Sequence, residues 1–426
     1  MSNRDCFFRR GSLPSMIAWR GVLAWMLMTS LAIAADQPSL KSIGVDAETN
    51  TAAVVVVGQS TLAHTTQLFP IGPGGTLAAG ALGQTKALFD SLQEVLQTVD
   101  SGLGRVARLN VYVVNEKVVP AVQAEIKERW SKLPVKPAVT YAVTPLPRTG
   151  VLVALDAVAA SSSRVDRVVH RRIVGIGEEG MSQAAHVTLL PPGRIIYISG
   201  QSEAGKTMGE AARKTLDGLN RTLQHLGLQK ISVVQVKSFL QPMSDYAQVD
   251  AEIARFFKRE RVPAFTHVEW VDKKPTIEIE LVAWAPSDWK PREQAHVDVP
   301  GSAQFVYLPW LKPNSPNYCR LTIVDQTRAL YFGGLYARKA DTPEAEVRDI
   351  FQQLKDLLKE AGSDFDHLAK ATYYPSNEAT STKLNIIRPE FYNPKRPPAA
   401  SKAPLAGTSR PGRNVTLDII AVTPAK

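Results

Sequence analysis

One short block of sequence recurs along this chain. Tyr197-Ile198-Ser199-Gly200-Gln201, Val56-Val57-Gly58-Gln59 and Tyr331-Phe332-Gly333-Gly334-Leu335 each close an apolar run and precede a helix-patterned stretch. The glycines stand 200 − 58 = 142 and 334 − 200 = 134 residues apart. A spacing that long is a whole domain repeated, not a solenoid unit. The chain is therefore expected to write one fold three times.

The flanking patterns agree. Ala212, Leu216, Leu219, Leu223 and Leu226 fall on one face of a 3.6-residue helix, as do Val347, Ile350, Leu354, Leu357 and Ala361, and Leu88, Leu92, Val95 and Val99. Gly227 and Gly362 stand where a C-terminal cap would stop two of these helices. Strand patterns follow at Val106–Val113, Val233–Leu240 and Leu368–Tyr374, then second helices at VQAEIKERW, VDAEIARFF and LNIIRPEFY. Pro389 predicts that the last of these is kinked or short. Each copy closes with a Pro-Ala pair at Pro137, Pro263 or Pro398, and then a strand bearing an acid. The order β-β-α-β-α-β-β predicts an α+β fold, a mixed sheet with two helices on one face. Domain limits fall at 36–160, 167–286 and 296–426, with linkers at Ala160–Asp166 and Pro286–Ala295. Gly58, Gly200 and Gly334 read as turn glycines with positive φ.

Residues 1–34 read as a signal peptide. Arg9, Arg10 and Arg20 precede the apolar run Gly21–Ala34, and Ala32-Ile33-Ala34 offers small residues for cleavage. The protein is expected to be exported, to the periplasm or beyond, with no membrane attachment after cleavage. Cys6 leaves with that segment, so Cys319 has no partner for an internal disulfide. The net charge of +10 falls to +7 once four arginines and one aspartate are removed. The remaining basic residues are scattered, which argues against nucleic acid as a partner. No histidine spacing suggests a metal, and no cofactor is expected.

Gly200 to Thr207 matches the phosphate-loop pattern G-x4-G-K-T. The corresponding turns of the other copies lack Gly-Lys-Thr, and the strand order does not supply the parallel sheet that such a loop needs. The match reads as coincidence.

The Ser-Gly-Gln turn, the VDAEIARFF helix, the Pro-Ala turn and the IEIELVA strand together resemble the RidA (YjgF, L-PSP) family. The resemblance implies a chorismate-mutase-like domain that trimerises, with clefts between subunits. Three copies in one chain would then form a monomeric pseudotrimer with three unlike clefts. It also implies enamine and imine hydrolysis, with a small imino acid-like metabolite as ligand. By this resemblance the last-strand acids Asp156, Glu280 and Asp418 are catalytic candidates. Gly58, Gln59, Ser199, Gly200, Gln201, Gly334, Asn385, Tyr318 and Phe265 are candidates for binding, and Met181 stands at the tyrosine position of the second copy. The carboxylate-gripping arginine expected after Pro-Ala is absent: Val139, Phe265 and Ala400 stand there. Arg148, Lys136 and Lys402 are candidate surrogates. Weakened or altered deaminase chemistry follows from this reading, beside two rivals: an active deaminase with a surrogate cation, and a structural or partner-binding module.

Overall fold

The computed structural model describes residues 39–424 except 175, 177–183, 259–260, 272–275, 292–295, 298–301, 309, 312–314, 327 and 340. The signal-peptide reading and Met181 lie outside the described residues. The first stretch runs β1 (Leu40–Asp46), β2 (Thr51–Gly58), β3 (Thr61–Thr65), α1 (Gly80–Gln97), β4 (Val106–Val113), α2 (Val119–Arg129), β5 (Ala138–Val143) and β6 (Val153–Ser161). The second runs β7 (Val169–Arg171), β8 (Val187–Leu190), β9 (Arg194–Gln201), α3 (Met208–His225), β10 (Val233–Leu240), α4 (Tyr246–Phe257), β11 (Ala264–Glu269) and β12 (Ile277–Ala285). After the short β13 (His296–Val297), the third runs β14 (Ala303–Tyr307), β15 (Leu321–Asp325), β16 (Arg328–Phe332), α5 (Pro343–Glu360), β17 (Leu368–Pro375), α6 (Glu378–Phe391), β18 (Ala399–Lys402) and β19 (Val415–Val422).

The order thus holds one strand more per stretch than the sequence suggests. β1, β7 and β14 each pair antiparallel with the strand that follows. Within each stretch the helices cover one sheet face. Leu216, Leu219 and Leu223 of α3 pack on Ile277, Ile279 and Leu281 of β12 in one core. Each of these leucines, buried fully, contributes about 1.5–3 kcal/mol. Corresponding cores lie under α1 and α5.

The stretches are joined by strand pairing. β8 pairs with β3, β15 with β9, and β2 with β16, all antiparallel. Each stretch therefore gives a strand to another in a closed cycle, and no stretch completes its sheet alone. The sheet faces turned away from the helices meet in a central cluster that includes Val57, Leu62, Ile195, Tyr197 and Tyr331.

Two local expectations need correction. α6 is not short: it has 14 residues, against 11 in α2 and 12 in α4. Pro389 lies in its final turn, so it forfeits only the bond to the Asn385 carbonyl. Gly58, Gly200 and Gly334 are not among the positive-φ glycines, whereas the helix-end Gly227 and Gly362 are, at φ 74° and 76°. The phosphate-loop match is a self-capped helix entry. Thr207 Oγ1 accepts from the Glu210 N–H at 3.1 Å, and the Glu210 carboxylate accepts from the Lys206 N–H at 2.7 Å. A carboxylate already occupies the place a phosphate would take.

Candidate active site

Three clefts open where the stretches meet, each built by strand ends of two of them. The residues after the Pro-Ala pairs mark them: Phe265 lines the first–second cleft, Ala400 the second–third and Val139 the third–first. The first–second cleft holds a cavity of only about 90 Å³, the others about 690 and 890 Å³. Phe265 and Phe69 occupy the first–second space, and Asp250 and His267 there satisfy each other at 2.6 Å.

The second–third cleft draws polar side chains from both of its stretches. β9 and β12 contribute Gly200, Gln201 and Glu278; the third stretch contributes Asn317, Tyr318, Arg320, Asn385, Arg388, Ser401 and Lys402. Arg388 donates to Asn317 Oδ1 at 2.8 Å and to Asn385 Oδ1 at 3.2 Å, and lies over the Tyr373 ring. It thereby ties α6 to the chain before β15. Lys402 Nζ donates to Ser381 Oγ at 3.0 Å. Arg320 lies 5.1 Å from the Tyr318 ring centre, and its Nε has no hydrogen-bond partner. Gln201 turns its amide to Thr222 at 3.1 Å.

Two carboxyls line this cleft, the exposed Glu203 and the inner Glu278. Burial pushes Glu278 up to about 7, with neighbouring Glu280 adding to the rise and Ser401, Lys370 and Arg320 opposing it. Its Oε1 has no hydrogen-bond partner. A carboxyl that titrates near neutrality can both take and give a proton.

The three acids singled out from the sequence are elsewhere. Asp156, Glu280 and Asp418 line none of these clefts; they face the centre, where the stretches meet, and are buried there. Asp156 accepts from Asn110 Nδ2 at 2.8 Å, Tyr112 Oη at 2.6 Å and Thr266 Oγ1 at 3.0 Å. Glu280 accepts from Lys370 at 2.5 Å and Ser401 at 2.6 Å. Burial works to raise the Glu280 carboxyl, but Lys370 and Lys237 outweigh it and hold it below its ordinary value. Asp418 is ion-paired with Arg108; burial raises it despite that partner. The strand Ile277-Glu278-Ile279-Glu280 presents both acids on one face, so the pattern cannot say which reaches the cleft. Register decides: Glu278 stands opposite Phe239, and Glu280 stands opposite Lys237, one pleat nearer the centre.

Gly58 and Gln59 also need correction. They form the β2–β3 turn; Gln59 is exposed and neither lines these clefts. The strand of the first stretch that matches β9 is β3, and the residues beyond it in the first–second cleft are Thr66 and Gln67. The run VVVVGQ imitates YISGQ one strand too early. Ser199 sits beneath the second–third cleft: it donates to the Cys319 carbonyl at 2.6 Å and accepts from the Ala400 N–H at 2.7 Å. Gly200, Gln201, Tyr318 and Asn385 do meet in that cleft, Phe265 lines the first–second, and Gly334 the third–first. Of the surrogate cations, Lys402 is in the second–third cleft and Arg148 in the first–second, while Lys136 is folded onto the Trp130 and Leu133 carbonyls. Sequence reasoning missed Glu278, Arg320 and Arg388. An arginine two residues after Tyr318 and another three after Asn385 were the available signal.

Comparison with known proteins finds relatives of the middle stretch. Residues 179–285 match the family model described as Endoribonuclease L-PSP. A RutC family protein of Pasteurella multocida is 30% identical over 110 residues, covering 23% of this chain and 85% of that one. A RutC family protein of Haemophilus influenzae is 28% identical over the same coverage. Among solved structures, a YjgF family protein of Neisseria meningitidis is 22% identical, covering 24% of this chain and 86% of its own, with a TM-score of 0.23. A Rid family protein of Yersinia pestis is 22% identical, covering 28% of this chain and 98% of its own, at a TM-score of 0.26. Through its middle stretch, the chain belongs to the RidA/YjgF family.

Proposed function

We propose that the second–third cleft hydrolyses small anionic imines and enamines to keto acids and ammonia, with Glu278 as the proton-transfer group. The observation that carries this is a carboxyl titrating at about 7 in the same cleft as Arg320 and Lys402. The cations would hold the substrate carboxylate, replacing the arginine missing at Ala400. With the protonated imine as substrate, Glu278 would take a proton from water as the oxygen bonds to the imine carbon, then return it to the resulting amine nitrogen; ammonia leaves as the C–N bond breaks, and the carbinol O–H gives its proton to water to form the keto C=O. Tyr318 and Asn385 would border the substrate, and Gly200 would leave room for the Glu278 carboxyl.

The domain reading belongs to the same proposal: three RidA-like domains at 36–160, 167–286 and 296–426, arranged as a pseudotrimer within one chain. The cyclic exchange of β2, β8 and β15 and the recurring position of the clefts support it. Export rests on the Gly21–Ala34 run and is tested by sequencing the N-terminus of the protein recovered from the expressing cell.

The test is turnover of 2-iminopropanoate, generated by an amino-acid oxidase and trapped by semicarbazide. We expect the wild-type chain to consume the imine faster than buffer, Glu278→Gln to abolish this, and Arg320→Gln to raise KM more than it lowers kcat. No acceleration by folded wild-type protein would end the proposal. Asp156→Ala or Glu280→Ala that abolished turnover without loss of stability would return the chemistry to the centre.

A further inference from the structure

The third–first cleft differs in chemistry from the one just discussed. Three positions show it. Val139 stands where the second–third cleft has Ala400. Tyr141, opposite Val111 in β4, stands where Lys402 lies opposite Tyr373 in β17. Thr416, opposite Tyr374, stands where Glu278 lies opposite Phe239. The inner wall therefore has neither the cation nor the acid. Its charged residues, Asp46, Glu48, Glu116, Arg338 and Arg410, are all exposed.

Two hydroxyls of this wall, those of Tyr141 and Thr416, have no hydrogen-bond partner, and Tyr141 is the one that lines the cleft. Tyr141 is 7% exposed. A buried hydroxyl left unpaired costs about 1–3 kcal/mol, so such groups are normally matched. Burial also pushes this phenol far above its ordinary range, so it stays a neutral O–H donor at any physiological pH. Tyr336, by contrast, is spoken for: its hydroxyl contacts the Thr408 carbonyl at 2.9 Å and Ser409 Oγ at 2.8 Å. The space is there, at about 890 Å³.

We propose that the third–first cleft is a second binding site, which takes an uncharged molecule whose carbonyl oxygen accepts a hydrogen bond from Tyr141. Val139 and the two tyrosine rings suit an apolar or aromatic body. An anion finds no inner cation to replace its water, so the cleft rejects carboxylates. The inference is independent of catalysis at Glu278.

The probe is 4-fluorobenzamide, with 4-fluorobenzoate as its charged isostere, each observed by fluorine NMR on the full chain. The wild-type protein is expected to bind the amide. Tyr141→Phe should weaken that binding about fivefold to tenfold, the loss of one hydrogen bond, while Glu278→Gln leaves it unchanged. Val139→Phe, which copies the residue filling the first–second cleft, should abolish it; this second variant stands in if Tyr141→Phe fails to fold. No amide binding by the wild type, or binding indifferent to both cleft variants, would overturn the site. Equal, Tyr141-dependent affinity for the benzoate would overturn the preference for an uncharged ligand.

Discussion

The Glu278 carboxyl lies against the Cα of Gly200, so close that a methyl group on that glycine would overlap Oε1, Cδ and Cγ of the glutamate. Gly200 is thus needed for close approach and not for a left-handed backbone, since its φ is not positive. Gly200→Ala must displace the glutamate. A displacement of roughly 1 Å at a catalytic group costs about 100-fold in rate. We expect imine turnover to fall by that order while the melting temperature changes little; unchanged turnover would remove Glu278 from the chemistry.

The same carboxyl should make activity and stability depend on pH in opposite senses. Turnover that needs the carboxylate as base should rise with an inflection near pH 7. Glu278→Gln leaves no residual profile to compare, so Arg320→Gln is the useful variant: it removes a neighbouring cation that favours the charged form, and the inflection should move up.

For stability, the folded protein keeps a proton on Glu278 to about pH 7, whereas the ordinary carboxyl value is 4.5. The contribution is therefore complete below about pH 4.5 and lost as pH rises to about 7, on the order of 3 kcal/mol. Urea unfolding at several pH values should show wild type losing ground to Glu278→Gln across that window. A constant difference would mean that the group is not perturbed.

At the centre, Arg108 of the first stretch and Asp418 of the third, 310 residues apart in sequence, form a buried ion pair. Arg108→Met leaves Asp418 buried without this partner, and breaking such a pair costs about 3–5 kcal/mol. Adding Asp418→Leu should restore most of the loss, because two apolar groups need no pairing. A single variant as stable as wild type by chemical denaturation would contradict this account.

Because each stretch lends a strand to the next, the pairings close within one chain. Light scattering should give a particle of single-chain mass. A stable homotrimer of the whole chain would mean that these strands pair between chains instead.

The sequence by itself determined the repeated helices, the mixed α+β order, the Gly227 and Gly362 caps and the Pro-Ala turns, because these follow from local periodicity and backbone preference. It also carried the family resemblance, most clearly in the second stretch. It did not determine β1, β7 and β14, which are short or lie at the sheet edge, where pairing rather than pattern makes the strand. Nor could it separate Glu278 from Glu280, which share a strand face and differ only in what lies opposite. Gly58 mimicked Gly200 because an apolar run ending in glycine is common to any strand that meets a turn. Arg320 and Arg388 came into one cleft with Gly200 only through the pairing of β15 with β9, a contact between residues more than a hundred positions apart. Such contacts set which acid is desolvated and which is paired, so tertiary structure alone decided where the charge could do chemistry.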